Sequence, residues 1–157
     1  MDINDTTDYQ RCFACGQQNP FGLKMTFQAD GNTVMADFTP GEEHLGFPGV
    51  VHGGIVATVL DEALNRTSVL AESPAWTMTG RLEIRYRRAV PYGSLLRVRA
   101  ALQSQRGRMF QASGKLTLAE DEKVVFAEAQ GSFMALAPEL LDTVMKDYPG
   151  MRSFFEN

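Results

Sequence analysis

The sequence predicts an α+β domain in which an antiparallel β-sheet wraps around one long helix. Two short alternating segments precede a single dominant apolar helix, and four longer alternating segments follow it without helices between them. Consecutive strands without intervening helices indicate antiparallel pairing, because parallel strands need long crossover connections. The apolar positions of the helix occupy much of its circumference, so we expect the sheet to curl around it.

Alternation and turn residues place the strands. The segments 23–29 and 33–40 flank Asp30-Gly31-Asn32, which is a hairpin signature, and the stretch from Pro40 to Val51 has the character of a loop. Four longer strands are predicted in the segments 76–90, 94–105, 108–119 and 123–136. In the first of these, one face consists of Leu82, Ile84 and Tyr86 and the other of Arg81, Glu83, Arg85 and Arg87.

The dominant helix is predicted from about Gly54 to Leu70. Its apolar stripe has helical spacing and consists of Ile55, Val56, Val59, Leu60 and Ala63. A second, short helix is predicted from Pro138, with a packing face of Leu140, Leu141, Val144, Met145 and Tyr148. We therefore expect a leader over residues 1–22, one domain over residues 23–137 and a helical tail over residues 138–157.

The length and net charge of the chain limit the classes of protein to which it can belong. Its 157 residues suffice for one domain with a sizeable core. The formal net charge of −4 argues against a nucleic-acid partner, which would require a basic surface. No run of about 18 apolar residues is present that could span a membrane. The start of the chain is acidic and polar, unlike a secretory signal, so we predict a cytoplasmic protein without a membrane partner.

Cys12 and Cys15 lie in the leader, in the motif CFACG. In a reducing cytosol they are expected to be thiols. A C-x-x-C pair can supply half of a zinc site, but a closed site needs four ligands, and the only histidines are His44 and His52. We therefore expect a local turn with packed thiols, with zinc binding and redox activity as the alternatives, and we predict no metal and no cofactor.

Asp61 lies in the middle of a helix that otherwise has the pattern of a core helix. Its face of the helix consists of small or polar residues, namely Gly54, Ala57, Thr58 and Asn65. One interpretation is a solvated surface aspartate. The other interpretation is a carboxylate with a role in catalysis. It depends on the glycine pair at the start of the helix, because unpaired N–H groups at the positive end of the helix dipole can bind an oxyanion. An oxyanion site and a carboxylate base or nucleophile are the two parts that acyl transfer needs.

The length of the helix separates these two parts. Gly53 and Asp61 are eight residues apart, which corresponds to about 12 Å along a helix. One thioester carbonyl cannot be within hydrogen-bond reach of both groups in the same chain. If both act, Gly53 of one chain and Asp61 of a second copy must flank one site, which predicts a two-fold dimer with two equivalent sites. The neighbouring Glu62 and Arg66 are expected to form a solvated ion pair.

Two segments closely resemble a known family. The sequence VVHGGIVATVLDEA, followed by TGRLEIRYRRAVPYG, is similar to the hotdog-fold acyl-CoA thioesterases of the PaaI type, and the similarity extends over residues 12–136. The resemblance implies a hotdog fold, with a long helix wrapped by an antiparallel sheet, and a homodimer or a dimer of dimers. It also implies an acyl-CoA, or an acyl-carrier-protein, thioester as the substrate.

The resemblance also implies roles for individual residues. Gly53 would supply the oxyanion N–H, His52 would shape that loop and hydrogen-bond near the thioester, and Asp61 would be the base or nucleophile. Thr79 would help to position the attacking water; the alternative is an inward strand residue without a role. Many relatives have an asparagine or glutamine where this chain has Gly46, so the mechanism would depend more on Asp61.

Substrate contacts are predicted in three places: the loop that leads into Gly53 and Gly54 (the glycine loop), the helix, and the arginines. Gly54, Gly46 and Asn65 are expected beside the substrate. Arg88, Arg106 or Arg108 is predicted to bind nucleotide phosphates, because the guanidinium group can form paired hydrogen bonds to phosphate. The alternative is that these arginines lie on a solvated outer face of the strands. His44 is expected in the loop or at the rim of the pocket rather than as a catalyst.

Three functions fit these residues. The leading hypothesis is an acyl-CoA thioesterase. The alternatives are a non-catalytic acyl-ligand sensor on the same fold and a purely structural dimer module. The presence of Asp61 favours a thioesterase over a ligand sensor. A structural module would leave Asp61 and the glycine N–H groups unexplained.

Overall fold

The computed structural model describes Ile3 and residues 10–147 of the chain. The strands are β1 (Gln28–Asp30), β2 (Thr33–Phe38), β3 (Leu45–Phe47), β4 (Val50–Val51), β5 (Thr77–Tyr86), β6 (Leu96–Arg106), β7 (Met109–Leu118) and β8 (Val125–Ala135). The helices are α1 (Gly53–Arg66) and α2 (Pro138–Asp147), and short 3-10 helices cover Glu42–His44 and Thr67–Leu70. Within this part of the chain, no helix has the length and apolar character needed to cross a membrane. The cytoplasmic location stays a prediction.

Six of the strands form one antiparallel sheet around α1. Their order is β1-β2-β6-β7-β8-β5, and each neighbouring pair is antiparallel. Strands β3 and β4 form a separate two-stranded sheet just before α1. Because α1 contacts β2, β5, β6, β7 and β8, the predicted arrangement of one long helix wrapped by an antiparallel sheet is confirmed.

The apolar face of α1 forms the centre of the core. The side chains that are at most 2% exposed are Val56, Val59, Leu60, Ala63 and Leu64. Ile55, a member of the predicted stripe, is only partly buried. Burial of a large apolar side chain stabilises the fold by about 1.5–3 kcal/mol relative to exposure. The packing of this face therefore fixes the rotation of α1 and the direction of its polar face.

Strand β1 begins at Gln28, later than the predicted start at Leu23. The segment before it pairs with the leader instead: the Leu23 N–H donates to the Phe13 carbonyl over 2.8 Å, and the Met25 N–H donates to the Ala14 carbonyl over 2.9 Å. The predicted strand is therefore wrong over residues 23–27, where Lys24 has a positive φ of 50° and the segment bonds to the leader instead of the next strand.

The region around α1 also departs from the prediction. The stretch before the helix was predicted as a loop but contains β3 and β4, joined by a turn in which Gly49 has a positive φ of 76°. The helix ends at Arg66, and the remaining predicted helical residues form a 3-10 helix. At this junction Thr67 Oγ1 donates to the Leu64 carbonyl over 2.7 Å, a local bond of the kind that competes with helix continuation.

Strand β5 contains a β-bulge at Gly80. Thr79 pairs with Phe133 of β8 and Arg81 pairs with Ser132, so Gly80 has no partner of its own. Strict alternation would place Thr79 and Arg81 on the same outer face of the sheet. The extra residue instead turns Thr79 toward α1 while Arg81 points outward, which is how bulges redirect side chains.

Helix α2 confirms the predicted tail helix and its start at Pro138. On its predicted packing face, Leu140 is 45% exposed and Val144 is partly buried. Leu140 is therefore not packed as predicted. The side chains of Leu141 and Met145 and the whole of Tyr148 lie outside the described residues.

Candidate active site

The start of α1 is shaped by His52, which is the N-cap residue of the helix. Its backbone is extended, with φ −60° and ψ 137°, and its Nδ1 accepts a 2.9 Å hydrogen bond from the Gly54 N–H. The His52 N–H donates to the His44 carbonyl over 2.9 Å. Because Nδ1 is an acceptor, the neutral imidazole has its proton on Nε2. His52 therefore holds the glycine loop through both its ring and its backbone.

Of the two glycine N–H groups, that of Gly53 remains available. The Gly54 N–H is taken by His52, whereas the Gly53 N–H has no acceptor among the described residues. Gly53 is exposed and is the first residue of the helix, where N–H groups lack intrahelical partners and the helix dipole is positive. This end of the helix can therefore donate to an anionic oxygen.

Tyr86 holds the same loop from the end of β5. Its hydroxyl donates to the Gly53 carbonyl over 2.9 Å. The alternation of the strand places Tyr86 on one of its faces but does not predict this contact, because nothing local relates a strand end to a helix start that lies far away in the sequence.

Gly46 packs directly against His52 and offers no side chain to a substrate. A Cβ at this position would lie 2.9 Å from the His52 Cα and 3.2 Å from its Cβ and Cδ2. A larger residue would have to displace His52, because a Cβ only 2.9 Å from a backbone carbon is closer than real Cβ atoms approach. The substrate contact predicted at Gly46 could therefore be made only by its backbone.

Asp61 and Thr79 form a hydrogen-bonded pair on the polar side of α1. Asp61 is half-buried, and Thr79 Oγ1 donates to its Oδ1 over 2.8 Å. The bulge at Gly80 makes this contact possible, because it turns Thr79 toward the helix. Gly53 and Asp61 both belong to α1, so about 12 Å of helix separates them within one chain.

Burial raises the pKa of Asp61 above its ordinary value. Desolvation is the largest cause, the hydrogen bond from Thr79 acts in the opposite direction, and the charge of the neighbouring Glu62 raises the pKa further. A carboxylate with a raised pKa is a better proton acceptor than an ordinary surface aspartate. The environment of Asp61 is thus suited to a general base.

The side chain of Asn65 binds β5. Thr77 Oγ1 donates to Asn65 Oδ1 over 2.6 Å, and Asn65 Nδ2 donates to the Thr77 carbonyl over 3.2 Å. Both functional groups of the amide therefore join α1 to the first residue of β5. The predicted contact of Asn65 with a substrate stays a prediction.

The three arginines predicted to grip phosphate differ in their surroundings. Arg88 and Arg106 are exposed, and neither guanidinium has an ion-pair or hydrogen-bond partner among the described residues. Arg108 donates from Nε and Nη2 to the Ala135 carbonyl, over 3.2 and 2.7 Å. Arg88 and Arg106 are therefore the members of this set whose guanidinium groups are available to a ligand.

His44 is buried in the loop before α1. It is 3% exposed, its Nδ1 accepts from the Gly41 N–H over 2.9 Å, and its Nε2 lies 3.0 Å from the Phe21 carbonyl. Because the carbonyl can only accept, Nε2 is the protonated nitrogen. Both ring nitrogens are occupied, so His44 organises the loop and is not placed to act on a substrate.

The fold and the site together define a class of protein. A six-stranded antiparallel sheet around one long helix, with a glycine N–H at the helix start and an acid about two turns later, is the hotdog arrangement that the sequence predicts. The model of the thioesterase superfamily matches residues 48–125. The chain is a member of the thioesterase superfamily, while its place in the PaaI-type branch stays a prediction.

Individual relatives agree with this family. Acyl-coenzyme A thioesterase THEM4 of Mus musculus is 38% identical over 119 residues, which are 76% of this chain and 50% of that protein. The chain thus spans about half the length of the curated relatives it matches. The crystal structure of zebra fish thioesterase superfamily member 2 has a TM-score of 0.72 at 20% identity and covers 87% of this chain and 99% of its own. A Streptococcus mutans protein bound to acetyl CoA has a TM-score of 0.64 at 16% identity and covers 72% of this chain and 89% of its own.

Proposed function

We propose that this chain hydrolyses the thioester of an acyl-CoA, or of an acyl-carrier protein, to a carboxylic acid and a free thiol. The observation that supports this most directly is the half-buried Asp61, hydrogen-bonded by Thr79 on a helix whose first N–H has no acceptor among the described residues. The mouse relative is named an acyl-coenzyme A thioesterase, which agrees with this substrate class.

The reaction uses two groups of the protein. The Gly53 N–H donates to the thioester oxygen as it becomes an oxyanion. Asp61 accepts a proton from the water that attacks the carbonyl carbon, or it attacks that carbon itself and forms an anhydride that water then hydrolyses. In both routes the C–S bond breaks, the thiolate leaves and is protonated, and the acyl group ends as a carboxylic acid.

In this proposal each site takes Gly53 from one chain and Asp61 from its partner. Strand β5 supports such a dimer because it is an edge strand of ten residues. Its Met78 is 59% exposed and its Tyr86 is 52% exposed. An exposed strand edge offers unpaired backbone groups to a second strand, and a two-fold axis at this edge would bring Asp61 and Thr79 close to the partner. A dimer of dimers is compatible with the same contact.

Arg88 and Arg106 are the residues that we assign to the phosphates of CoA. Both are exposed and without partners among the described residues, and a planar guanidinium can bind phosphate through two parallel hydrogen bonds. Arg108 is a weaker candidate, because its guanidinium already donates to a backbone carbonyl.

A panel of thioesters tests the proposal. Purified protein is incubated with short-chain, long-chain and aromatic acyl-CoAs and with an acyl-carrier-protein thioester, and the released thiol is measured with a chromogenic thiol reagent. We expect turnover of at least one member of the panel. We also expect Asp61→Asn to lower kcat by about 100- to 10,000-fold, which is the usual contribution of a general base.

The matched control is Glu120→Gln, which removes one carboxylate charge from an exposed position. It should hydrolyse the panel at the wild-type rate. Binding of acyl-CoA without any release of thiol would instead identify a non-catalytic acyl-ligand sensor. Wild-type turnover by Asp61→Asn would show that Asp61 is neither the base nor the nucleophile.

A further inference from the structure

A second group of reactive side chains lies where the leader packs on α1. The ligand atoms of Cys12, Cys15 and Glu62 are all within 4.8 Å of one another. Cys15 is 2% exposed, and the other two are partly buried. We infer that these three residues form a binding site for a zinc-class divalent cation that fastens the leader to α1.

The turn of the leader is built in a way that suits thiolate ligands. The turn brings the two sulfurs together, with the Cys12 sulfur in hydrogen-bond contact with the Cys15 side chain and with the backbone N–H groups of Cys15 and Ala14. The Gly16 N–H donates to the Cys12 carbonyl over 3.0 Å and closes the turn. A Cβ at Gly16 would lie 2.3 Å from the Gln10 carbonyl oxygen, so only glycine fits there.

Arg66 supports two of the three ligands. It is 8% exposed, and it donates from Nε to Glu62 Oε1 over 2.9 Å and from Nη2 to Cys15 Sγ over 3.0 Å. The ion pair with Glu62 was predicted to be solvated, but the leader covers it. Hydrogen bonds of this kind orient ligands from outside the coordination shell and tune their charge.

The charges of the cluster match a divalent ion. Metal binding releases the thiol protons of Cys12 and Cys15 to solvent. The resulting two thiolates, one carboxylate and one guanidinium sum to −2, so a 2+ ion makes this group of four side chains neutral. A buried group with unbalanced charge would be costly. Among common divalent ions, thiolate ligands favour zinc over magnesium or calcium.

Three protein ligands leave one position of a tetrahedral zinc ion for water or another donor. The two histidines do not supply it from their present positions, because His44 is bonded to Gly41 and Phe21 and His52 caps α1. The prediction of no metal depended on the two histidines as the only further ligands. Glu62 was missed because its approach to the C-x-x-C turn depends on how the leader packs.

The test measures metal binding directly. The full chain, purified under reducing conditions and dialysed against excess Zn²⁺ and then buffer, should retain about one zinc per chain by elemental analysis, as one site per chain requires. Titration with Co²⁺ should give the charge-transfer absorption of a thiolate–cobalt bond. Cys12→Ser, Cys15→Ser and Glu62→Gln should each weaken zinc affinity by more than about tenfold in competition with a chromogenic chelator, since even residues outside the coordination shell contribute that much.

Glu120→Gln is the control for loss of a carboxylate and should bind zinc as the wild type does. The cobalt spectrum of the unsubstituted chain keeps the test valid if a cysteine variant fails to fold. A reduced wild-type chain that retains no zinc and gives no thiolate–cobalt band would overturn the inference. So would a folded Glu62→Gln and a folded Cys15→Ser that both bind zinc with wild-type affinity.

Discussion

At the scale of single residues, the N–H of Gly53 is the group on which the proposed chemistry depends most. It can be removed with little effect on the helix, because proline is favoured at the first helical position and lacks the N–H. His52 before it has φ −60° and ψ 137°, a conformation that residues preceding proline prefer. We expect Gly53→Pro to lower kcat for an acyl-CoA substrate by about 100- to 1,000-fold in the thiol-release assay.

Gly53→Ala is the matched control, because it changes the same residue and keeps the N–H. Its Cβ would lie 3.7 Å from the Tyr86 ring, which is an ordinary van der Waals contact, and its kcat should be close to that of the wild type. Circular dichroism should show the same helix content in both variants. A folded Gly53→Pro protein with unchanged kcat would exclude this N–H as the oxyanion donor.

Thr79 is expected to act through Asp61. Its hydroxyl donates to the carboxylate and thereby lowers the pKa of Asp61 against the stronger effect of burial. Thr79→Val keeps the shape but removes the donor, so the pKa of Asp61 should rise further and the acid limb of the kcat/KM profile should move to higher pH. Thr79→Ser keeps the donor and should leave the limb in place. An acid limb at the wild-type position in Thr79→Val would mean that this bond does not control the charge of Asp61.

The raised pKa of Asp61 also predicts a cost in stability. Because the folded pKa lies above the unfolded value, the native state disfavours the carboxylate; the cost is absent below the unfolded pKa and complete above the folded pKa. Asp61→Asn has no such titration and still offers an acceptor to Thr79. Urea unfolding at matched protein concentration should therefore show the variant gaining stability relative to the wild type as the pH rises from about 4 to 7. A stability difference that does not change with pH would contradict the shift.

At the scale of secondary-structure elements, β5 and α1 form the site together. The alternation of β5 was predictable, and Leu82 and Ile84 lie partly buried as expected, whereas the flanking Arg81 and Glu83 are exposed. The bulge at Gly80 was not predictable, because a glycine in a strand is compatible with regular pairing as well as with a bulge. The register with β8 and the hydrogen bond to Asp61 show that Thr79 turns toward α1. The orientation of this functional side chain thus depends on pairing and not on the strand's own pattern.

Asn65 and Thr77 hold the two elements in register. Their two reciprocal hydrogen bonds should each contribute about 0.5–1.5 kcal/mol to the free energy of unfolding. We expect Asn65→Ala and Thr77→Val each to be destabilising. The loss in the double variant should be smaller than the sum of the single losses by about 1 kcal/mol, since the pair shares the bond between the two side chains. Strict additivity in urea unfolding would contradict a direct coupling.

At the scale of the whole molecule, the sequence was sufficient for what depends on local periodicity. It predicted one long helix, the four long strands and the hairpin around Gly31, because burial on one face leaves a repeating pattern. It did not predict contacts between distant segments, such as the Tyr86 hydroxyl on Gly53 or the pairing of Leu23 with Phe13. These contacts depend on the tertiary packing of distant elements, and the residue pattern of neither segment indicates them.

The proposed sharing of each site between two chains makes a prediction that no single variant can test. Asp61→Asn and Gly53→Pro should each be nearly inactive as homodimers, because each loses one group from both sites. A mixed dimer would have one site with both groups intact, formed by Gly53 of the first variant and Asp61 of the second. Random exchange at equal concentrations makes about half of the dimers mixed, so activity should recover to about one quarter of the wild-type value per chain.

Subunit exchange by joint refolding, followed by the thiol-release assay, measures this recovery. Refolding each variant alone is the control and should restore nothing. The recovery should also fall on dilution below the dissociation constant of the dimer, because only the mixed dimer has an intact site. If the mixture stays as inactive as its components while native mass spectrometry shows that mixed dimers form, then Gly53 and Asp61 do not serve one shared carbonyl. Asp61 would then have to act with a hydrogen-bond donor of its own chain. That donor could not be the Gly53 N–H, because about 12 Å of helix separates Gly53 from Asp61.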